Sequence, residues 1–211
     1  MMYSCADCTV YACRTEEKEN MPLNCPMRNR ENMDRIAEEY QKESVAAFHR
    51  TAALVESEGY CQWPRLRETM EFARKMGYRK LGLAFCFGLR REAKTLVQIL
   101  RKNGFSVDSV MCKTGGYDKN TVGIEETQKL CGGGYEAMCN PIAQAQLLNQ
   151  CGTELNIVLG LCVGHDSLFY RYSDAMVTTL VAKDRALAHN PVGAIYQSEA
   201  YLRNKIHLEE K

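Results

Sequence analysis

A chain of 211 residues is long enough to bury a core of its own, and its 27 Lys and Arg against 26 Asp and Glu leave a formal charge of only +1. No basic excess points to nucleic acid, and no acidic block points to a solvated tail. No apolar run approaches the roughly 20 residues that cross a bilayer, and the opening Met1-Met2-Tyr3-Ser4-Cys5 lacks the basic stretch and apolar core of a secretory signal, so the expectation is a cytoplasmic protein without nucleic-acid or membrane partners.

Eleven cysteines stand out against that ordinary composition. In a reducing compartment, grouped cysteines serve metals or thiol chemistry more often than disulfides. The first group comes at once: Cys5-Ala6-Asp7-Cys8, then Cys13, then Cys25-Pro26, four thiols within twenty-one residues. A CxxC turn brings two sulfurs to one ion, and the loops to Cys13 and Cys25 can return two more. Residues 1–30 therefore read as a Cys-rich metal-binding segment. Zinc takes four thiolates as a closed tetrahedral site. An iron–sulfur cluster takes them too, and Cys followed by Pro occurs in ferredoxin-type ligation, although this spacing is not that of a bacterial ferredoxin. A redox dithiol at Cys5 and Cys8 is disfavoured, because no strand precedes the pair.

Residues 31–78 read as helical. Met33, Ile36, Ala37, Tyr40, Ala47, Phe48, Thr51, Leu54 and Val55 share one face at 3.6-residue spacing and predict a single helix over 31–57. His49 on that helix reads as packed or solvated rather than as a ligand. Gly59 ends the region, and Pro64 opens a second helix that runs to Met76 and stops at Gly77.

From 79 to 211 the element types alternate. The apolar run 81–87 predicts a strand buried on both faces, followed by a helix over 90–102 with Ala93, Leu96, Val97 and Leu100 on one side and a strand over 106–112. A polar helix over 120–129 and a short extended segment over 135–139 come next. Asn140-Pro141 supplies an N-cap and a first-turn proline for a helix to Gln150. A strand over 155–163, a helix capped by Asp166, a strand over 177–182 and a last helix over 192–204 complete the chain. The fold expectation is α/β: a small doubly wound, Rossmann- or flavodoxin-like, mostly parallel sheet with helices and an N-terminal Cys-rich segment.

A second cysteine set follows from that fold. Cys86, Cys112 and Cys162 fall at the carboxyl ends of strands, and Cys139 lies just before a helix amino terminus; all four therefore belong to the sheet edge where doubly wound proteins bind ligands. Their separations of 26, 27 and 23 residues match one strand-plus-helix unit each. Four thiolates on a rigid frame suit an iron–sulfur cluster or zinc, and the cluster is preferred. If three of them bind, one iron is left open to substrate. Helix amino termini after Gly88 and Asn140, with Arg90 and Arg91, would favour its negative charge, and glycines 88, 115, 116 and 164 would let backbone approach sulfur. His165, Asp166 and Lys113 are the candidate catalytic groups, with His165-Asp166 as an acid/base pair beside the ordinary reading of Asp166 as an N-cap. Lys183-Asp184-Arg185 falls at the same edge as an anion-binding candidate. Cys61, Cys131 and Cys151 read as buried free cysteines. GxGxxG, GxxxxGK[ST] and GxSxG motifs are absent from the sequence.

The N-terminal cysteines, together with Met138-Cys139-Asn140-Pro141-Ile142-Ala143-Gln144-Ala145, Gly160-Leu161-Cys162-Val163-Gly164-His165-Asp166 and Lys183-Asp184-Arg185 through Asn190-Pro191, make the chain resemble the prokaryotic family catalogued as domain of unknown function 1847, whose members are described as uncharacterised metal-binding proteins. The resemblance runs over essentially the whole chain. It implies Cys5, Cys8, Cys13 and Cys25 as metal ligands, gives no role to Cys139, Cys162, His165 and Asp166, and implies no activity. Three functions remain open on the sequence. The first is an iron–sulfur protein doing redox or sulfur-transfer chemistry on a small molecule or with an electron-transfer partner. The second is a zinc-stabilised binding module without catalysis. The third is a cysteine-dependent enzyme using Cys162 and His165.

Overall fold

The computed structural model describes residues 3–15 and 18–207. The chain forms two compact units, Met1–Glu58 and Gly59–Lys211. In the first, three single 3-10 turns, Cys5–Asp7, Ala12–Arg14 and Pro26–Arg28, precede helices α1 (Arg30–Glu39) and α2 (Glu43–Gly59). Asn29 caps α1 by accepting the Asn32 N–H at 3.0 Å. The single helix expected over 31–57 is interrupted at residues 40–42. There the backbone tightens to bonds from Tyr40 to Ala37, Gln41 to Glu38 and Lys42 to Glu39. The break falls in the charged stretch from Glu38 to Glu43, where Tyr40 is exposed and no buried side chain holds the ladder in register. Tyr40 meets His49 edge-on across it, with ring centroids 5.1 Å apart, and His49 is exposed.

In the second unit, helix α3 (Arg65–Lys75) leads into a four-stranded sheet of β1 (Lys80–Phe85), β2 (Ser106–Met111), β3 (Leu155–Leu159) and β4 (Met176–Val181). The strand order is β2-β1-β3-β4 and every pairing is parallel. β1 is buried through its middle and β3 throughout, as expected of strands covered on both faces. Leu81, Leu83, Leu155, Ile157 and Leu159 pack with Ala73 of α3 and with Ala93, Leu96 and Leu100 of α4 (Arg90–Lys102). Ala84 and Val158, on the opposite face, pack with Ala145 and Leu148 of α5 (Pro141–Cys151) and Phe169 of α6 (His165–Tyr172). The order explains this division. From β1 the chain first moves outward to β2, then reverses past β1 to β3 and β4. Crossovers of one hand must then place α4 on one face and α5 and α6 on the other. Gly82 is where α5 and β3 crowd β1: a Cβ there would stand 1.9 Å from Asn156 Oδ1.

The connection from β2 to α5 departs from expectation. In place of a helix over 120–129 there are two 3-10 turns, Lys119–Val122 and Glu126–Gln128, and in place of an extended segment over 135–139 there is one isolated antiparallel bridge between Asp118 and Ala137. Lys129 explains the difference. Its side chain is only 2% exposed, and its ammonium bonds Asp118 at 2.8 Å, Glu126 at 2.7 Å and the Gly134 carbonyl at 2.7 Å. A buried cation with three oxygen partners organises the loop where an apolar helix face would otherwise be needed. The last helix is also fragmentary, as α7 (Val192–Tyr196) and α8 (Arg203–Ile206), with turns between them. Ile195, Tyr196 and Tyr201 are exposed there, so no buried face sustains a continuous helix. No described helix is long and apolar enough to cross a membrane.

Lys129 beside Asp118 holds that carboxyl down to about 2. A carboxylate whose pKa is depressed by folding contributes stability above its unfolded pKa of about 4 and loses it as the pH falls toward the folded value. Lys129→Met should speed amide hydrogen exchange across residues 118–136 and leave β1 and β3 protected. In the wild type the same loop should loosen, after correction for intrinsic exchange, between about pH 4 and about pH 2. Unchanged protection in the variant would contradict the loop's dependence on this cation.

Candidate functional site

The sheet delivers the second cysteine set to one edge. Cys86 directly follows β1, Cys112 directly follows β2, Cys162 comes three residues after β3, and Cys139 lies two residues before α5. Backbone bonds tie these positions together: Cys86 N–H donates to the Leu159 carbonyl at 3.2 Å, Cys112 N–H to Phe85 at 2.9 Å, and Asn140 N–H to the Cys112 carbonyl at 2.7 Å. Gln144, fully buried on α5, donates through Nε2 to the carbonyls of Phe85 and Val110 at 3.2 and 2.7 Å. It clamps the ends of the two strands that carry Cys86 and Cys112. Nothing in its sequence position marks it apart from the apolar residues around it.

The Cys112 thiol lies in hydrogen-bonding range of both Cys86 and Cys139, with one proton to share between them, so three sulfurs form one row. Each of the four thiols has a donor of its own. Lys183 Nζ reaches Cys86 at 3.3 Å, Phe87 N–H reaches Cys112 at 3.3 Å, Lys113 Nζ reaches Cys139 at 3.5 Å, and Arg185 Nη2 reaches Cys162 at 2.9 Å. These donors set the ionisation of the row. The hydrogen bond from Cys112, with help from Gly88 N–H and Lys183, brings Cys86 down to about 4 against the opposing effect of burial. The same bond from Cys112, then the charges of Lys113 and His165, bring Cys139 down to about 5. Cys112 itself is pushed far up by the two thiols it serves, Cys139 foremost, and by burial. The metal-free row is thus thiolate, thiol, thiolate. Arg185 is raised, chiefly by its bond to Cys162, and it also feels the charges of Cys86 and Cys139.

Lys183 and Arg185 are brought in by a turn after β4. Asp184 Oδ1 accepts the N–H groups of Ala186 and Leu187, both at 2.9 Å, while His189 Nδ1 accepts the Asp184 N–H at 3.1 Å. The turn requires positive φ at Ala188 and His189, 50° and 63°. It converts an anion-binding candidate into two specific thiol partners.

Other expectations are corrected. Arg90 does not face the thiols: its guanidinium lies 4.7 Å over the Phe87 ring, and Arg91 lines a groove with Leu96 and Leu180 on the α4 side. Of the four glycines, Gly88 alone lies against a sulfur, since a Cβ there would be 3.8 Å from Cys86 Sγ, whereas one at Gly115 would meet Tyr117. Gly164, not Asp166, occupies the N-cap of α6; Asp166 sits in the first turn with Oδ1 accepting the Ser167 N–H at 2.8 Å. The neighbouring His165 keeps a buried Nδ1 without a hydrogen-bond partner. Cys61 and Cys131 are exposed and Cys151 is partly so; these are not buried free cysteines. Cys61 has a φ of 56° in the turn after α2, and Cys131 lies at the tip of the glycine-rich loop, so neither reaches a core.

Beside the row, Cys139 and Cys162 line a cavity of about 560 Å³ together with Lys113, His165 and Arg185. In the first unit, Cys5, Cys8, Cys13 and Cys25 line a separate cavity of about 100 Å³. The Tyr11 N–H points at Cys8 Sγ from 3.5 Å, with Tyr11 in the left-handed region, and a hydrogen bond between Ser4 and Asn24 joins the two ends of the segment. Among the described residues up to 30, Ala12 alone is fully buried, so the segment has no apolar core. Among the described residues no three His, Cys, Asp or Glu side chains are already arranged to hold a metal ion.

The family described as protein of unknown function, DUF1847, matches residues 25–180. The chain belongs to this family. An uncharacterised protein of Methanocaldococcus jannaschii is 48% identical over 169 residues, covering 80% of this chain and 85% of that protein. No solved structure matches the chain. The DUF1847 match takes in Cys86, Cys112, Cys139, Cys162, His165 and Asp166, but it begins at Cys25 and ends before Lys183 and Arg185. The likeness expected over essentially the whole chain is therefore narrower, and neither description speaks of a metal.

In the metal-free, reduced protein, alkylation of Cys139 by iodoacetamide should follow a thiolate that forms near pH 5. Cys112→Ala removes its largest support and should move the midpoint toward the ordinary cysteine value of about 8.5. A wild-type midpoint already near that ordinary value would contradict the thiolate–thiol–thiolate row.

Proposed function

We propose that this DUF1847 protein holds an iron–sulfur cluster on Cys86, Cys112, Cys139 and Cys162 and uses it on a small molecule, and that zinc stabilises the N-terminal segment through Cys5, Cys8, Cys13 and Cys25. The observation that carries the reading is the edge itself: four thiols from three connections, each with its own N–H or cationic donor. The strand order, which matches the first four strands of a flavodoxin-like sheet, supports a doubly wound fold with a ligand crevice beyond β1 and β3, where that order reverses.

The donor set fits a soft, anionic centre. Thiolates select iron–sulfur clusters, zinc and copper(I), and Lys113, Lys183 and Arg185 offset the negative charge that four thiolates bring. A closed structural zinc site needs no adjoining cavity. Here Cys139 and Cys162 open onto one lined by His165 and Arg185, which favours a reactive centre over a structural one. When bound, a cluster would supply electron transfer or a Lewis-acidic iron. The chain's own residues would orient it: Gln144 keeps Cys86 and Cys112 at a fixed spacing, and the turn at Asp184 sets the two cations. His165 and Lys113 are the groups available for proton movement at the cavity, with Asp166 next to His165 in the first turn of α6. The N-terminal segment suits a structural metal for a different reason. Four cysteines around a small cavity without an apolar core leave metal binding as the source of its folding energy.

Chemistry by cysteine alone, without a metal, is the second reading, and one observation favours it: the lowered Cys139 thiol lies within the electrostatic reach of His165. That shifts the nucleophile of this reading from Cys162 to Cys139.

Anaerobic reconstitution with iron and sulfide should give a brown protein with broad visible absorbance and about four irons and four sulfides per chain. Cys112→Ala and Cys139→Ala should abolish the colour. Cys5→Ala should keep the colour and lose zinc. A colourless wild type that takes up zinc alone would overturn the cluster.

A further inference from the structure

The lining of the cavity beside the thiols mixes two chemistries. Cys139, Cys162, Arg185 and His165 line it together with Ile124, Ile142 and Leu168, while its other cations are engaged: Lys119 pairs with Glu136, and Lys113 bonds the Ala137 carbonyl and Cys139. At about 560 Å³ it falls within the range of small-molecule sites, roughly 300–1,000 Å³. Arg185 uses Nη2 on Cys162, and a guanidinium has five N–H donors in a planar fork, so further donors remain for a ligand on that side.

We propose that this cavity binds a small organic carboxylate with a short apolar chain, the carboxylate on Arg185 and the chain along Ile124, Ile142 and Leu168. Planar bidentate contact is what a guanidinium gives a carboxylate. With Lys119 paired to Glu136 and Lys113 to Cys139, Arg185 is the cation left for one carboxylate, and Ile124, Ile142 and Leu168 favour a hydrocarbon body over the extra oxygens of inorganic phosphate or a sugar phosphate. One of the cations that quiet the thiols therefore also selects the substrate, and the bound carboxylate lies next to Cys162. The inference names the substrate class of the site proposed above and rests on that reading for its purpose, while binding itself requires no metal.

Calorimetry with hexanoate, hexan-1-ol, acetate and inorganic phosphate, on metal-free reduced protein and on reconstituted protein, tests it. Hexanoate should bind at least about tenfold more tightly than the other three, since a charge-assisted bond and a buried chain each contribute about that factor. Arg185→Gln should weaken hexanoate about tenfold. Leu168→Gln, at an exposed position on α6 that tolerates change, should weaken hexanoate and leave acetate unaltered. Equal binding of hexanoate and hexan-1-ol, preference for phosphate, no binding in either preparation, or indifference to both substitutions would overturn the proposal. Hexanoate binding to protein that takes up neither iron nor sulfide would sink the cluster and leave the carboxylate site standing. Uptake of iron and sulfide without hexanoate binding would do the reverse.

Discussion

Thiolates packed side by side repel one another, and burial makes that repulsion worse. Everything at the carboxyl edge of this sheet answers that constraint. Hydrogen bonding by Cys112 lowers Cys86 and Cys139, while Cys112 between them is raised. Three cations then come from elements far apart in sequence: Lys113 from the end of β2, and Lys183 and Arg185 from the turn after β4. Such a row costs free energy to assemble, and a protein that builds it without a use for concentrated thiolate would be more stable with apolar residues there. In the cluster-bound state proposed above, a soft cation would take the place of the Cys112 proton.

The rest of the unit acts as a frame for that edge. Parallel strands start and end in step, so residues that follow them emerge side by side. Reversal of direction between β1 and β3 opens the space into which Cys139 and Cys162 face. Gln144 is the link between core and site. Its amide reaches through the buried face of α5 to the carbonyls just before Cys86 and Cys112, so packing against α5 is transmitted to the spacing of two sulfurs. The loop organised by Lys129 continues this logic at the rim: a buried ion pair network, rather than regular structure, shapes one wall of the cavity.

Much of this was legible in the sequence, for physical reasons that differ by element. The short runs at 81–85 and 155–159 are apolar but for Gly82 and Asn156 and each has a glycine close after it, Gly88 and Gly160, which favours buried parallel strands. Asn140-Pro141 marks a helix start through its own chemistry, with Asn140 accepting the Ala143 N–H at 3.1 Å. The cysteine spacing pointed to the edge, because one helix and one strand separate Cys86 from Cys112 and Cys139 from Cys162; Cys112 and Cys139 share it for another reason, being the two ends of one connection. What stayed hidden depends on partners distant in sequence. Lys129 reads as an exposed charge until Asp118 and Gly134 fold around it. The pairing of Lys183 with Cys86 spans 97 residues and is decided by β4 lying beside β3. The interruption at residues 40–42 and the fragmentation after Val192 reflect missing tertiary contacts, to which helical periodicity is blind.

Anomalous X-ray scattering at the iron and zinc edges, from crystals of protein isolated without oxygen, tests the central claim most directly. The account predicts iron density among Cys86, Cys112, Cys139 and Cys162, and zinc density among Cys5, Cys8, Cys13 and Cys25. Reduced, metal-free thiols at the sheet edge of such crystals would contradict it.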